Sequence, residues 1–154
     1  MKKYIHYGST KFEPETFNPI QNRLFVKPTG GFWASPIETE WGWKDWCEAE
    51  NYEECEKENS FTFTLSENAN VLHLHNVEDL DSLPKLKLPE PLKSLSKGIL
   101  GMVYLDFENI LKSGYDAIEI HLEDFSLEGL YGKLYGWDCD SILIMNPEII
   151  KEVK

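Results

Sequence analysis

The stretch Lys27-Pro28-Thr29-Gly30-Gly31-Phe32-Trp33-Ala34-Ser35 constrains the fold more than any other part of the chain. A basic residue, a proline and two glycines lead straight into a short aromatic strand, which Pro36 closes. Glycine has no Cβ, so the backbone there can turn tightly and approach a ligand closely. A strand opening at such a turn can hold a flat group against Phe32 or Trp33. An ordinary turn ahead of a core strand accounts for the same residues, so the rest of the chain has to decide.

At 154 residues the chain is read as one domain, residues 1–154, and its 42% hydrophobic and 13% aromatic content argues for a packed globule. No apolar run approaches the roughly 20 residues that span a bilayer, and no apolar signal core follows Lys2 and Lys3, so a soluble, cytoplasmic protein is expected. Cys47, Cys55 and Cys139 form no CxxC pair and read as reduced thiols. His73 and His75 share one strand face, which allows a two-histidine metal site, but paired surface histidines explain them more simply. No metal is expected.

The net charge of −12 excludes a general nucleic-acid binder. Its distribution is uneven. Residues 1–30 hold Lys2, Lys3, Lys11, Arg23 and Lys27 against Glu13 and Glu15, a balance of +3 that leaves −15 for the rest. An anionic ligand is therefore drawn to the segment ahead of the glycine turn. Arg23, the only arginine in the chain, offers a planar fork that suits phosphate oxygens, although a surface ion pair also explains it.

The periodicities predict a strand over 3–7, a proline-bearing loop over 11–26 with one helical turn, and a strand over 32–35. A helix is expected over 40–58, with Trp43, Trp46 and Cys47 on one face and acids on the other. Alternation then gives strands 60–65 and 71–74, read as a hairpin about the turn at 67–70. A short helix over 77–83 and an irregular segment around Pro84, Pro89 and Pro91 follow. Next come a helix over 106–112 stopped by Gly114, a strand over 117–122 and a helix from Ser126 towards Tyr135. The apolar run Ile142-Leu143-Ile144-Met145 reads as a fully buried strand, and Asn146-Pro147 as the start of a last helix. The order implies an α+β fold with a mainly antiparallel sheet system.

Three separated pieces bear on function: Tyr4-Ile5-His6-Tyr7-Gly8-Ser9, Gly31-Phe32-Trp33-Ala34-Ser35, and Asp140-Ser141-Ile142-Leu143-Ile144-Met145-Asn146. Together they resemble the ADP-ribosyltransferase fold, in the histidine–tyrosine–acid branch that includes the poly-ADP-ribose polymerases and diphtheria-like toxins. Trp33 stands where that branch has a stacking tyrosine, and Asp140 where it has a glutamate. The resemblance implies two small, mainly antiparallel sheets flanked by short helices. It also implies transfer of ADP-ribose from NAD to a macromolecular acceptor, protein or nucleic acid, with release of nicotinamide, as in toxins or phage effectors. His6 and Asp140 would be the catalytic pair, and His6, Gly8, Ser9, Arg23, Lys27, Trp33 and Ser35 would hold NAD. Asp140 also suits a turn beside Asp138, capping a backbone amide; Asp138 and Glu119 are the substitute acids, although Glu119 also suits a solvent-facing pair with His121.

The chemistry agrees with these residue types, because breaking the nicotinamide–ribose bond builds positive charge that a carboxylate stabilises. A second reading is a non-catalytic acidic interaction module on the same fold, which binds a nucleotide or ADP-ribose or mimics nucleic acid. A cysteine hydrolase using Cys47 or Cys139 has no motif behind it.

Overall fold

The computed structural model describes residues 1–99 and 101–151, with the side chains of 96–99 outside that description. Seven strands form one curled sheet: β1 (Lys3–Tyr7), β2 (Phe32–Pro36), β3 (Ser60–Leu65), β4 (Val71–Leu74), β5 (Ala117–Ile120), β6 (Ser141–Ile144) and β7 (Ile150–Lys151). Their order is β4-β5-β6-β2-β1-β3-β7. Four short helices accompany them: α1 (Trp43–Glu50), α2 (Glu90–Ile99), α3 (Phe107–Lys112) and α4 (Leu130–Lys133). The α+β class follows directly, and every strand pair except β4–β5 is antiparallel. Among the described residues no helix is long and apolar enough to cross a membrane.

The two sheets expected from the sequence are joined into one. Only Tyr4↔Pro36 and Ile5↔Ser35 pair β1 with β2, and this narrow seam connects the β4-β5-β6-β2 ladder to the β1-β3-β7 ladder. The sheet centre is covered on both faces, as the apolar run in β6 predicts. Leu143 and Met145 join one hydrophobic cluster with Trp137, Phe107 and Ile118. Ile142 and Ile144 join the other, with Tyr4, Phe61 and Phe63. Side chains alternate across a strand, so one apolar run serves both clusters. Each such buried side chain contributes about 1.5–3 kcal/mol.

Other expectations need correction. The β3–β4 hairpin does not form: β3 pairs with β1 and β7, whereas β4 runs parallel to β5. The turn before β4 is held from elsewhere. Asn70 donates from its backbone N–H to Asp116 Oδ2 (2.9 Å) and from Nδ2 to the Gly114 carbonyl (2.8 Å), and its own carbonyl accepts from Asp116 N (2.8 Å). The helix expected over 40–58 ends at Glu50, where Asn51 turns into the left-handed region (φ 51°). The one expected from Ser126 is confined to α4, and α2 replaces part of the irregular proline segment. After Asn146 the chain makes a 3-10 turn, Pro147–Ile149, and then β7; any continuation beyond Lys151 lies outside the described residues.

Candidate functional site

A cleft of about 320 Å³ opens where β1, β2 and the approach to β6 meet. His6, Lys27, Trp33 and Ser35 line it together with Asp138 and Cys139. The glycine turn sets β2 in place beside it. Gly30 and Gly31 both have positive φ (73° and 71°), and a Cβ on Gly30 would lie 2.1 Å from the Pro19 carbonyl oxygen. One on Gly31 would lie 2.6 Å from Leu143 Cδ1. The glycines are thus required by close packing against the preceding loop and the core, while Lys27 before them and Trp33 after them line the cleft.

His6 sits near the end of β1 with its ring against Phe32 (4.4 Å between centroids) and Phe61 (5.3 Å). Its Nδ1–H donates to the Trp33 carbonyl at 2.7 Å, which leaves Nε2 as the acceptor of the neutral ring. Burial lowers its pKa, against the opposing pull of that backbone bond, so the neutral form is favoured. Trp33 packs edge-on to Trp137 at 4.7 Å, and Lys27 Nζ lies 5.5 Å from the Trp33 ring centroid. Lys27 belongs to a loop closed by paired backbone hydrogen bonds between Gln21 and Thr29 (2.8 and 3.0 Å). Ser35 Oγ accepts from the Trp43 N–H at 2.9 Å, fastening the start of α1 to β2.

The two acids before β6 have different surroundings. Asp138 faces the cleft; burial raises its pKa and Lys27 pulls it back down. Asp140 is turned away, into a neighbouring groove that Thr39, Leu122 and Phe125 also line. Its Oδ1 accepts from the Leu122 N–H at 2.7 Å and its Oδ2 from the Thr39 hydroxyl at 2.6 Å. Both carboxylate oxygens therefore join chain segments.

Gly8, Ser9 and Arg23 are not on the described wall of the cleft. Gly8 takes φ 105° and donates its N–H to Asn59. Ser9 donates to the Lys11 carbonyl at 3.2 Å, and Arg23 Nε donates to Thr29 Oγ1 at 3.0 Å, both at the surface. Glu119 lies elsewhere, fully buried between Lys2, Tyr4 and His121. The cysteines are poor nucleophiles, because burial pushes the Cys47 and Cys139 thiols up to about 12. Trp137 and Glu53 also line the cleft and were not expected from the sequence. The position of Trp137 in a Gly-Trp-Asp turn was the only local sign.

An aromatic floor, an acceptor nitrogen, one cation and two acids make a site able to hold a flat heteroaromatic ring carrying polar groups. Comparison with protein-family models, with curated proteins and with solved structures finds no match.

Proposed function

We propose that this cleft binds the nicotinamide–ribose end of NAD and that the protein transfers ADP-ribose to a macromolecular acceptor. The observation that supports this reading is the convergence of His6, Trp33, Lys27 and Asp138, from two strands and two loops, on one cleft. Trp33 offers a face for the nicotinamide ring, and His6 Nε2 accepts from a ribose hydroxyl. Lys27, at the mouth, meets the pyrophosphate as a point charge.

The bond that breaks is the one between ribose C1′ and the nicotinamide nitrogen; its electron pair leaves with neutral nicotinamide. The positive charge left on the sugar is stabilised by the Asp138 carboxylate, whose pKa burial raises and the nearby Lys27 lowers in part. The acceptor's nucleophilic atom bonds to C1′ and its proton passes to the carboxylate and then to solvent. In this reading Asp138 takes the role for which the sequence first offered Asp140.

A non-catalytic nucleotide or ADP-ribose binder is the second reading. It is favoured by the engagement of both Asp140 oxygens in the fold. The test is nicotinamide release from NAD by the purified protein, alongside Asp138→Asn, His6→Ala and Trp33→Ala, with thermal shift in NAD. At 100 times Kd, ligand binding adds about 2.7 kcal/mol, a rise of several degrees in Tm. Release abolished by Asp138→Asn with the shift retained supports the transferase. A shift without release selects the binder, and neither signal removes NAD from this cleft.

A further inference from the structure

We propose that His73, His75 and His121 form a binding site for a borderline divalent transition-metal ion such as Zn²⁺, with Glu119 as the buried carboxylate that orients the ligands. The site is separate from the cleft and does not depend on the transferase reading.

The parallel pairing of β4 with β5 creates the juxtaposition. His73 stands directly opposite Glu119, and the Leu74 carbonyl accepts the His121 N–H at 3.1 Å just beyond the last strand pair. Strand alternation puts Leu72, Leu74, Ile118 and Ile120 into one hydrophobic cluster. That leaves His73 and Glu119 on the opposite face, and His75 and His121 continue the same alternation past the strand ends. One ring nitrogen from each histidine lies within 4.8 Å of the other two. Tetrahedral zinc needs about 3.3 Å between ligand nitrogens, from Zn–N bonds near 2.05 Å. His73 and His75 are exposed and His121 is partly so, leaving the rings room to turn inward by the remaining distance. His75 and His121 already lie nearly parallel at 4.6 Å between centroids.

The surroundings of the trio argue for a ligand set. Glu119 is fully buried, and His121 Nε2 approaches its Oε1 at 2.7 Å. With Nε2–H donating there, His121 presents the lone pair of Nδ1. His73 Nδ1 lies 3.9 Å from Oε2 of the same carboxylate, beyond hydrogen-bond distance but close to its charge. A buried carboxylate bonded to the far nitrogen of a ligating histidine fixes the tautomer and raises ligand basicity. Tyr4 OH donates to Glu119 at 2.7 Å and Lys2 pairs with it, so the carboxylate is held on every side. Lys2 and Glu119 cancel in charge, and Asp79, which accepts the His75 N–H at 2.8 Å, adds a nearby negative charge. Three imidazoles favour zinc, copper or nickel over magnesium or calcium, and the exposed side leaves a fourth position for water or for a group on another molecule.

The test is calorimetric titration of the protein with Zn²⁺, with Co²⁺ as the spectroscopic probe. Cys47, Glu53 and Cys55 form the only other group of potential ligands among the described residues, so Cys55→Ser is titrated in parallel. The expected result is one ion per chain, unchanged in Cys55→Ser and weakened at least about tenfold in His75→Ala and in His73→Ala. Both substitutions are at exposed side chains and leave the circular dichroism spectrum native. Glu119→Gln weakens binding by about ten- to 100-fold, and Co²⁺ gives a visible absorption that His121→Ala removes. Binding lost in Cys55→Ser, binding indifferent to the histidine variants, or no binding at all overturns the proposal.

Discussion

Replacing Asp140 by alanine removes the acceptors that hold Leu122 and Thr39 to the entry of β6. Leu122 is buried, so water cannot readily replace the lost partner of its N–H, whereas the half-buried Thr39 hydroxyl can rehydrate. Hydrogen bonds to a charged acceptor contribute about 1.5–3 kcal/mol, and an exposed-side hydroxyl bond about 1 kcal/mol, so the loss is about 3 kcal/mol. For a chain of this size that lowers Tm by roughly 6–12 °C. Asp140→Asn keeps an amide oxygen for Leu122 and lets the Thr39 hydroxyl accept from the new amide group, at a cost of about 1 kcal/mol. Differential scanning fluorimetry of both variants, beside Asp138→Asn, reads the difference directly. A Tm for Asp140→Ala within about 2 °C of the parent would refute the view that this carboxylate fastens the fold. So would an Asp140→Asn protein as unstable as the alanine variant.

Gly30→Ala destabilises by about 3 kcal/mol or more, since strained φ adds to a backbone clash, and the urea midpoint falls accordingly. His6, whose folded pKa lies below its ordinary 6.5, contributes stability that is present above that pH and is lost as pH falls through the lowered folded value. A pH series of Tm is therefore shallower on the acid side in His6→Gln, and an unchanged slope would remove His6 from that account. The buried Cys47 and Cys139 thiols react with Ellman's reagent only after unfolding, so the count of reactive thiols rises on adding urea.

The strands were legible because their signal is local. Alternation at Phe61-Thr62-Phe63 and the unbroken apolar run at Ile142–Met145 mark β3 and β6 without any knowledge of the partners. Pairing was less legible. Glu67–Asn70 has turn chemistry that fits a hairpin, but its polar groups are satisfied by Gly114 and Asp116, more than 40 positions on. That error hid the histidine trio, since His121 reaches His75 only if β4 lies beside β5. In the cleft, His6, Lys27, Trp33 and Ser35 were found from strand ends and the glycine turn. Of the two acids, Asp138 and Asp140, the latter reads from sequence as the stronger candidate, because it opens the buried strand. Only Cys139 lies between them, and which one faces the cleft depends on Thr39 and Leu122, distant in sequence.

The closed loop from Gln21 to Thr29 has a thermodynamic consequence for whatever enters the cleft. Its ends are tied by two backbone hydrogen bonds, and Val26, next to Lys27, is buried in the core. Fixing a residue's backbone costs about 1–2 kcal/mol, and here folding has already met that cost. An anionic guest thus finds its counter-charge in position over the indole, with little further ordering to offset the attraction. Lengthening the loop by a few glycines would leave the charge unchanged and weaken binding chiefly through entropy.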